Sequence, residues 1–132
     1  MVTYERRPIL GALIGSGVKL TPSGKIVQRY WQMVPDRFRG VSVDTLAVMP
    51  DHVHAIVVFS LSENRRDTLS KVVGWVKQRA AREIHAARHV HTCVWQSSFH
   101  DRIIANAEAF TRVRRYILAN PARAARHSQS AM

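Results

Sequence analysis

Val41-Ser42-Val43-Asp44-Thr45-Leu46-Ala47-Val48-Met49 and, after Pro50-Asp51, His52-Val53-His54-Ala55-Ile56-Val57-Val58-Phe59 are the stretches whose reading decides the fold. The first alternates apolar and polar residues, the signature of a strand with one buried face. The second is almost wholly β-branched or aromatic beyond Ala55, a composition that suits a pleated, covered surface. A connection as short as Pro50-Asp51 makes the two strands neighbours and antiparallel. Both parities of the second strand become apolar after His54, so both sheet faces are expected to be covered there and the strand to be central.

Working outward, Thr68 or Asp67 can cap a long helix whose apolar stripe is Leu69, Val72, Val73, Val76, Ala80 and Ile84, leaving a basic outer face. Ser62-Glu63-Asn64-Arg65-Arg66 is the one polar stretch that suits a loop. Upstream, Thr21 followed by Pro22 is a helix start. The apolar spacing Ile26, Val27, Tyr30, Trp31, Val34 carries that helix to an expected end near Pro35. Leu10 to Ile14 and Val18 to Leu20 flank Gly15-Ser16-Gly17 and form a hairpin. Val2 to Arg6 alternates weakly, as a first strand would. Downstream, a short strand is expected between Cys93 and Gln96 or between Phe99 and Ile104. A last helix runs from about Ala107 to Ala119, where Asn120-Pro121 should stop it. The order predicts one α+β domain over residues 1–132, a ferredoxin-like α/β sandwich with a largely antiparallel sheet and an N-terminal hairpin.

The bulk numbers restrict the partner. The chain has 132 residues, 46% of them hydrophobic and 22% charged, an ordinary globular composition. Twenty Lys and Arg against nine Asp and Glu give a net charge of +11, a field that suits a polyanion. No segment approaches a membrane-spanning helix and no signal-peptide pattern opens the chain, so a cytoplasmic, nucleoid-associated protein is expected. Cys93 is the only cysteine; intramolecular disulfides and Cys-rich zinc sites are excluded.

Two constellations carry possible chemistry. His52 and His54 are two apart on a strand and project from one face, an arrangement that suits two imidazoles on one metal and equally suits a strand end near solvent. Such a pair, with no cysteine nearby, would leave coordination positions open, as a catalytic ion requires. On the last helix Tyr116 and Asn120 are four apart and share a face beside the stripe of Phe110, Val113 and Ile117. Seen alone, that tyrosine fits core packing. Arg112, Arg114 and Arg115 flank it and would favour a phosphate near its hydroxyl, although such a run also fits a solvated charged face.

Together these residues resemble the REP-associated tyrosine transposases, a branch of the single-tyrosine HUH endonuclease superfamily and transposases of the insertion-sequence type. The similar stretches are Val2-Thr3 with Arg6, Gly24-Lys25-Ile26-Val27 to Trp31, Val48-Met49-Pro50-Asp51-His52-Val53-His54, and Trp95-Gln96 with Phe99-His100-Asp101-Arg102-Ile103-Ile104. Arg115-Tyr116-Ile117-Leu118-Ala119-Asn120-Pro121 completes the match. Members usually carry several residues before the Val-Thr element, so either the first strand is short here or the true start lies upstream. The resemblance implies one Mg²⁺ or Mn²⁺ held by His52, His54 and Asn120, and attack by Tyr116 on single-stranded, hairpin-containing DNA to give a 5′-phosphotyrosine.

Lys71, Lys77, Arg79, Arg82 and Arg102, with Arg112 and Arg115, are the expected DNA-binding residues. Trp75 and Trp95 could stack bases but fit the core better. His100 and Asp101 suit either outer-shell support for the metal or ordinary loop polarity. His85, His89, His91 and His127 have no ligand-like spacing and should face solvent. A non-catalytic nucleic-acid-binding module and a hydrolase using activated water compete with this assignment. A short tail after Pro121 would favour a monomer.

Overall fold

The computed structural model describes residues 1–60 and 68–130, with side chains through Arg126. The described residues form a mixed α/β structure with two antiparallel two-stranded sheets and three α-helices. The hairpin joins β1 (Gly11–Ile14) to β2 (Gly17–Leu20), with Gly11 opposite Leu20. The decisive pair is β3 (Val41–Val48) and β4 (Val53–Phe59), antiparallel with Ala47 opposite His54 and Val48 opposite Val53. A bulge at Asp44 shifts the register between Val43 and Thr45.

That register sorts the side chains. Val41, Val48 and Val53 enter the main core with Val27, Trp31 and Val34 of α1 (Pro22–Arg37) and Val72, Val76 and Ile84 of α2 (Leu69–Arg88). Ala47 and Ile56 lie on the other face, where Ile117 of α3 (Ala107–Ser130) closes a second cluster with Phe110 and Val113. Helices therefore cover both faces of β3–β4, as the doubly apolar β4 requires. Beyond β4 the ladder continues as single bridges, Val2 to His52 and Thr3 to Trp95. β4 is thus interior at its start.

The helix starts follow local chemistry. Thr21 Oγ1 accepts from the Gly24 amide and Thr68 Oγ1 from the Lys71 amide, each satisfying one orphan donor of a first turn. Asp67, the other cap candidate, and the loop residues Ser62 to Arg66 lie outside the described residues. Tyr30 donates to Glu83 and Arg29 pairs with the same carboxylate, tying α1 to α2.

Several expectations are corrected. Val2 to Arg6 is not a strand: after the Thr3 bridge, Tyr4–Arg6 is a 3₁₀ turn with Glu5 and Arg6 at φ 55° and 51°, which reverses the chain. Neither the Cys93 to Gln96 nor the Phe99 to Ile104 segment forms a strand; Trp95 contributes one bridge and buries its ring, donating Nε1–H to the Lys77 carbonyl. α1 passes Pro35 to Arg37, because the missing amide is outweighed by buried Val34 and Phe38 on either side. α3 likewise passes Pro121 and runs to Ser130. Pro121 packs near Gly17 of β2, and Ala125 beyond it is 2% exposed, so burial on the far side offsets one lost hydrogen bond. The premise of a short tail after Pro121 therefore fails.

Gly24 sits where the first turn of α1 presses on the hairpin. A Cβ there would stand 1.9 Å from the Leu10 carbonyl oxygen, and that oxygen is held by the Thr21 amide. Gly24→Ala should destabilise the chain by about 2–3 kcal/mol through overpacking, read as a lowered urea midpoint. An unchanged midpoint would contradict this packing.

Candidate active site

His52, the bridge residue before β4, and His54, its second residue, share the sheet face that carries Ile56. α3 is packed on that face through Ile117, and Arg114 locks it there by a two-pronged hydrogen bond to Asp44 at the bulge, 2.7 and 2.9 Å. Burying Ile117 turns Tyr116, its neighbour on the helix, towards the histidines. The His52 and His54 rings lie 4.8 Å apart, and the Tyr116 ring lies 6.4 Å from that of His54. Tyr116 remains 54% exposed. It is not a core residue.

The Nδ1 of His52 is 2.6 Å from Asp51 Oδ1, which leaves Nε2 as the nitrogen able to ligate. Burial, followed by the neighbouring His52, the amino terminus and Arg123, pushes the His54 imidazole down to about 4. A neutral ring keeps a lone pair for a cation near pH 7. Asn120 lies one turn beyond Tyr116; its Oδ1 accepts from Arg123 at 3.1 Å, and the Arg123 guanidinium sits 4.2 Å above the Tyr116 ring. Among the described residues no group of three or more His, Cys, Asp or Glu side chains is placed to hold a metal ion. Two imidazoles joined by an amide oxygen from α3 would make a nitrogen-rich donor set of a kind that suits a divalent ion bound partly by water or phosphate.

An open groove of about 760 Å³ runs along α3 past this point, lined by Glu108, Thr111, Arg112, Arg115, Tyr116 and Arg123. Arg112 and Arg115 are exposed and have no acidic partner among the described residues. The other basic candidates divide. Arg79 and Arg82 are exposed on the outer face of α2, as is Lys71, and Arg102 is exposed in the irregular segment before α3. Lys77 is half-buried and its Nζ donates to the carbonyls of Gln96 and Ser98 at 2.8 and 3.1 Å, so it anchors the chain there.

His100 and Asp101 are exposed, and neither is hydrogen-bonded to the histidines. The carboxylate that supports His52 is Asp51, and the cation beside Tyr116 and Asn120 is Arg123; sequence reasoning singled out neither. Adjacency of Asp51 to the pair and the i, i+3 spacing from Asn120 to Arg123 were the available signals. Trp75 packs against the core, edge-on to Tyr30 and Phe38. His85 is half-buried with Nε2 2.6 Å from the Thr92 carbonyl, and His89 ends α2 in the left-handed region.

The model of the IS200-like transposases matches residues 23–120, a span that includes both histidines, Tyr116 and Asn120. The chain belongs to that family, and its function is transposase-related with DNA as the partner. An uncharacterized protein of Haemophilus influenzae (strain ATCC 51907 / DSM 11121 / KW20 / Rd) is 23% identical over 130 residues, covering 86% of this chain and 72% of its own length. No solved structure matches the chain significantly. No helix among the described residues is long and apolar enough to cross a membrane.

The depressed His54 has a consequence for pH. Its folded value lies below the ordinary 6.5, so the unfolded chain binds the extra proton and stability falls as pH drops from about 6.5 to about 4, levelling below. Ring NMR shifts of the metal-free protein should give a His54 midpoint near 4, and His54→Gln should flatten the fall in urea midpoint across that window. A midpoint at 6 or above would contradict the burial of this ring.

Proposed function

We propose that the chain is a metal-dependent endonuclease and strand transferase for single-stranded DNA, acting on hairpin-containing DNA of the REP type. One observation carries the reading: an exposed tyrosine on α3 held 6.4 Å, ring to ring, from His54 of the histidine pair and bordered by a groove whose Arg112 and Arg115 have no acidic partner among the described residues. The REP-associated branch is favoured by the motif order, with Met49-Pro50-Asp51-His52-Val53-His54 followed by Tyr116-Ile117 and Asn120-Pro121. Packing of α1 and α2 together on one face of β3–β4 supports reading the core as ferredoxin-like.

His52, His54 and Asn120 are the side chains that would hold Mg²⁺ or Mn²⁺, which when bound would draw charge from the scissile phosphate and make it electrophilic. Arg112 and Arg115 place the DNA backbone along α3. Tyr116 supplies the nucleophile. Its oxygen forms the new bond to phosphorus as the bond from phosphorus to the 3′ oxygen breaks; the phenolic proton passes to solvent in the open groove, and the departing 3′ oxygen takes up a proton. The product is a 5′-phosphotyrosine and a free 3′-hydroxyl, whose return attack rejoins strands without ATP. A covalent link explains the use of tyrosine where water would only hydrolyse.

The test is a labelled hairpin oligonucleotide incubated with Mn²⁺ and resolved on a denaturing gel. A protein–DNA adduct should form, vanish in Tyr116→Phe and on chelation, and be lost in His52→Ala with much of the DNA binding retained. Binding with no adduct would make the chain a DNA-binding module, and cleavage that survives Tyr116→Phe would make it a hydrolase.

The groove makes a separate prediction. Single-strand affinity should fall with salt, and the doubly substituted Arg112→Ala, Arg115→Ala chain should lower the slope of log K against log[salt] by about 1–2. Equal slopes would remove those arginines from the DNA path.

A further inference from the structure

We propose that the segment Thr3–Arg7 is a bracket that fixes His52 for metal binding through Asp51, with Arg6 and Asp51 as positioning residues. The inference rests on reading His52 and His54 as a metal pair. It concerns how this chain prepares one of the two rings.

Asp51 is gripped from the N-terminal segment at both its backbone and its side chain. Its carbonyl accepts from the Thr3 amide at 2.9 Å and from Thr3 Oγ1 at 3.0 Å. Thr3 is fully buried, and the same hydroxyl lies 2.8 Å from the Arg7 carbonyl. Just before, the Pro50 carbonyl accepts from the Leu10 amide at 2.9 Å. The Asp51 carboxylate divides its oxygens: Oδ2 accepts from Arg6 Nε at 3.2 Å and Oδ1 faces His52 Nδ1 at 2.6 Å. Val2 bridges His52 itself. The two residues before the first histidine are therefore held from one side by residues 2–10.

The shape of the segment serves this grip. Thr3 and Arg6 both bond Asp51, whereas an extended strand would set their backbones about 10 Å apart. The reversal that unites them needs Glu5 and Arg6 at φ 55° and 51°, a left-handed conformation that non-glycine residues keep only where the surroundings over-determine it. The Arg6 amide bonded to the Thr3 carbonyl at 3.0 Å closes the turn. Stability alone does not explain the arrangement, because the Arg6 side chain is 60% exposed and exposed ion pairs contribute little. Orientation does. A carboxylate on Nδ1 makes that nitrogen the donor, leaves the lone pair on Nε2 and stops the ring from turning. Among the described residues His54 has no such partner, and its ring is oriented by burial.

The probe is Mn²⁺ alone, with full-length protein and no DNA. Free Mn²⁺ would be followed by electron paramagnetic resonance, and the His52 tautomer by long-range ¹H–¹⁵N spectra of the metal-free chain. Wild type should show Nδ1–H at His52. Asp51→Ala should lose that preference and weaken Mn²⁺ by about 10–100-fold; Arg6→Ala should weaken it less, with partial recovery in Arg6→Lys. The isosteric Asp51→Asn, which keeps an acceptor without the charge, should fall between and decides the matter if Asp51→Ala unfolds. Wild-type Mn²⁺ affinity and tautomer in both Asp51 variants would overturn the bracket while leaving the metal pair intact. Undiminished Mn²⁺ binding in His52→Ala, or none in wild type, would overturn the metal pair and the bracket with it.

Discussion

The contact on which the candidate site depends is the seating of Ile117 against Ala47 and Ile56. It is an apolar contact, undirected in itself, yet it fixes the geometry because the bulge at Asp44 and the fork of Arg114 allow one placement of α3 along the strand pair. Once Ile117 is buried, the helical repeat brings Tyr116 beside His54 and leaves Arg112, Arg115 and Arg123 along the same open groove. Packing positions the polar groups, and the polar groups then hold the register of the packing.

Four of the nine acids of this basic chain hold its own side chains. Asp44 holds Arg114, Asp51 holds Arg6 and faces His52, Glu83 holds Arg29 and Tyr30, and Glu5 holds Arg7. In the groove, Arg112 and Arg115 are left without an acidic partner among the described residues. Burial first, and then His52, the amino terminus and Arg123, push the His54 imidazole down to about 4 and favour its neutral form.

The strand pair, the hairpin, the two capped helices and their apolar stripes were legible because each is written in local periodicity and cap chemistry: Val41 to Met49 alternates, the run after His54 is apolar in both parities, Thr21-Pro22 starts a helix, and Val72, Val76, Ala80 and Ile84 line one face. The misreadings share a cause. Pro35 and Pro121 are local stop signals that packing of Val34, Phe38 and Ala125 overrides, while Val2 to Arg6 looks extended but turns to grip Asp51. Lys77 reads as a surface cation and is instead tied to two carbonyls.

By itself the sequence determined which residue types exist for chemistry: two histidines on one face of a strand and a tyrosine with an asparagine on one face of a helix, since period two and period 3.6 are local rules. Tertiary structure alone decided that these two faces meet, that Tyr116 stays open to solvent while Ile117 beside it is buried, and that Arg6 reaches Asp51. Those facts depend on contacts between residues far apart in the chain, which no local pattern encodes. The physical reason is that burial is set by what packs opposite, and what packs opposite is a property of the whole fold.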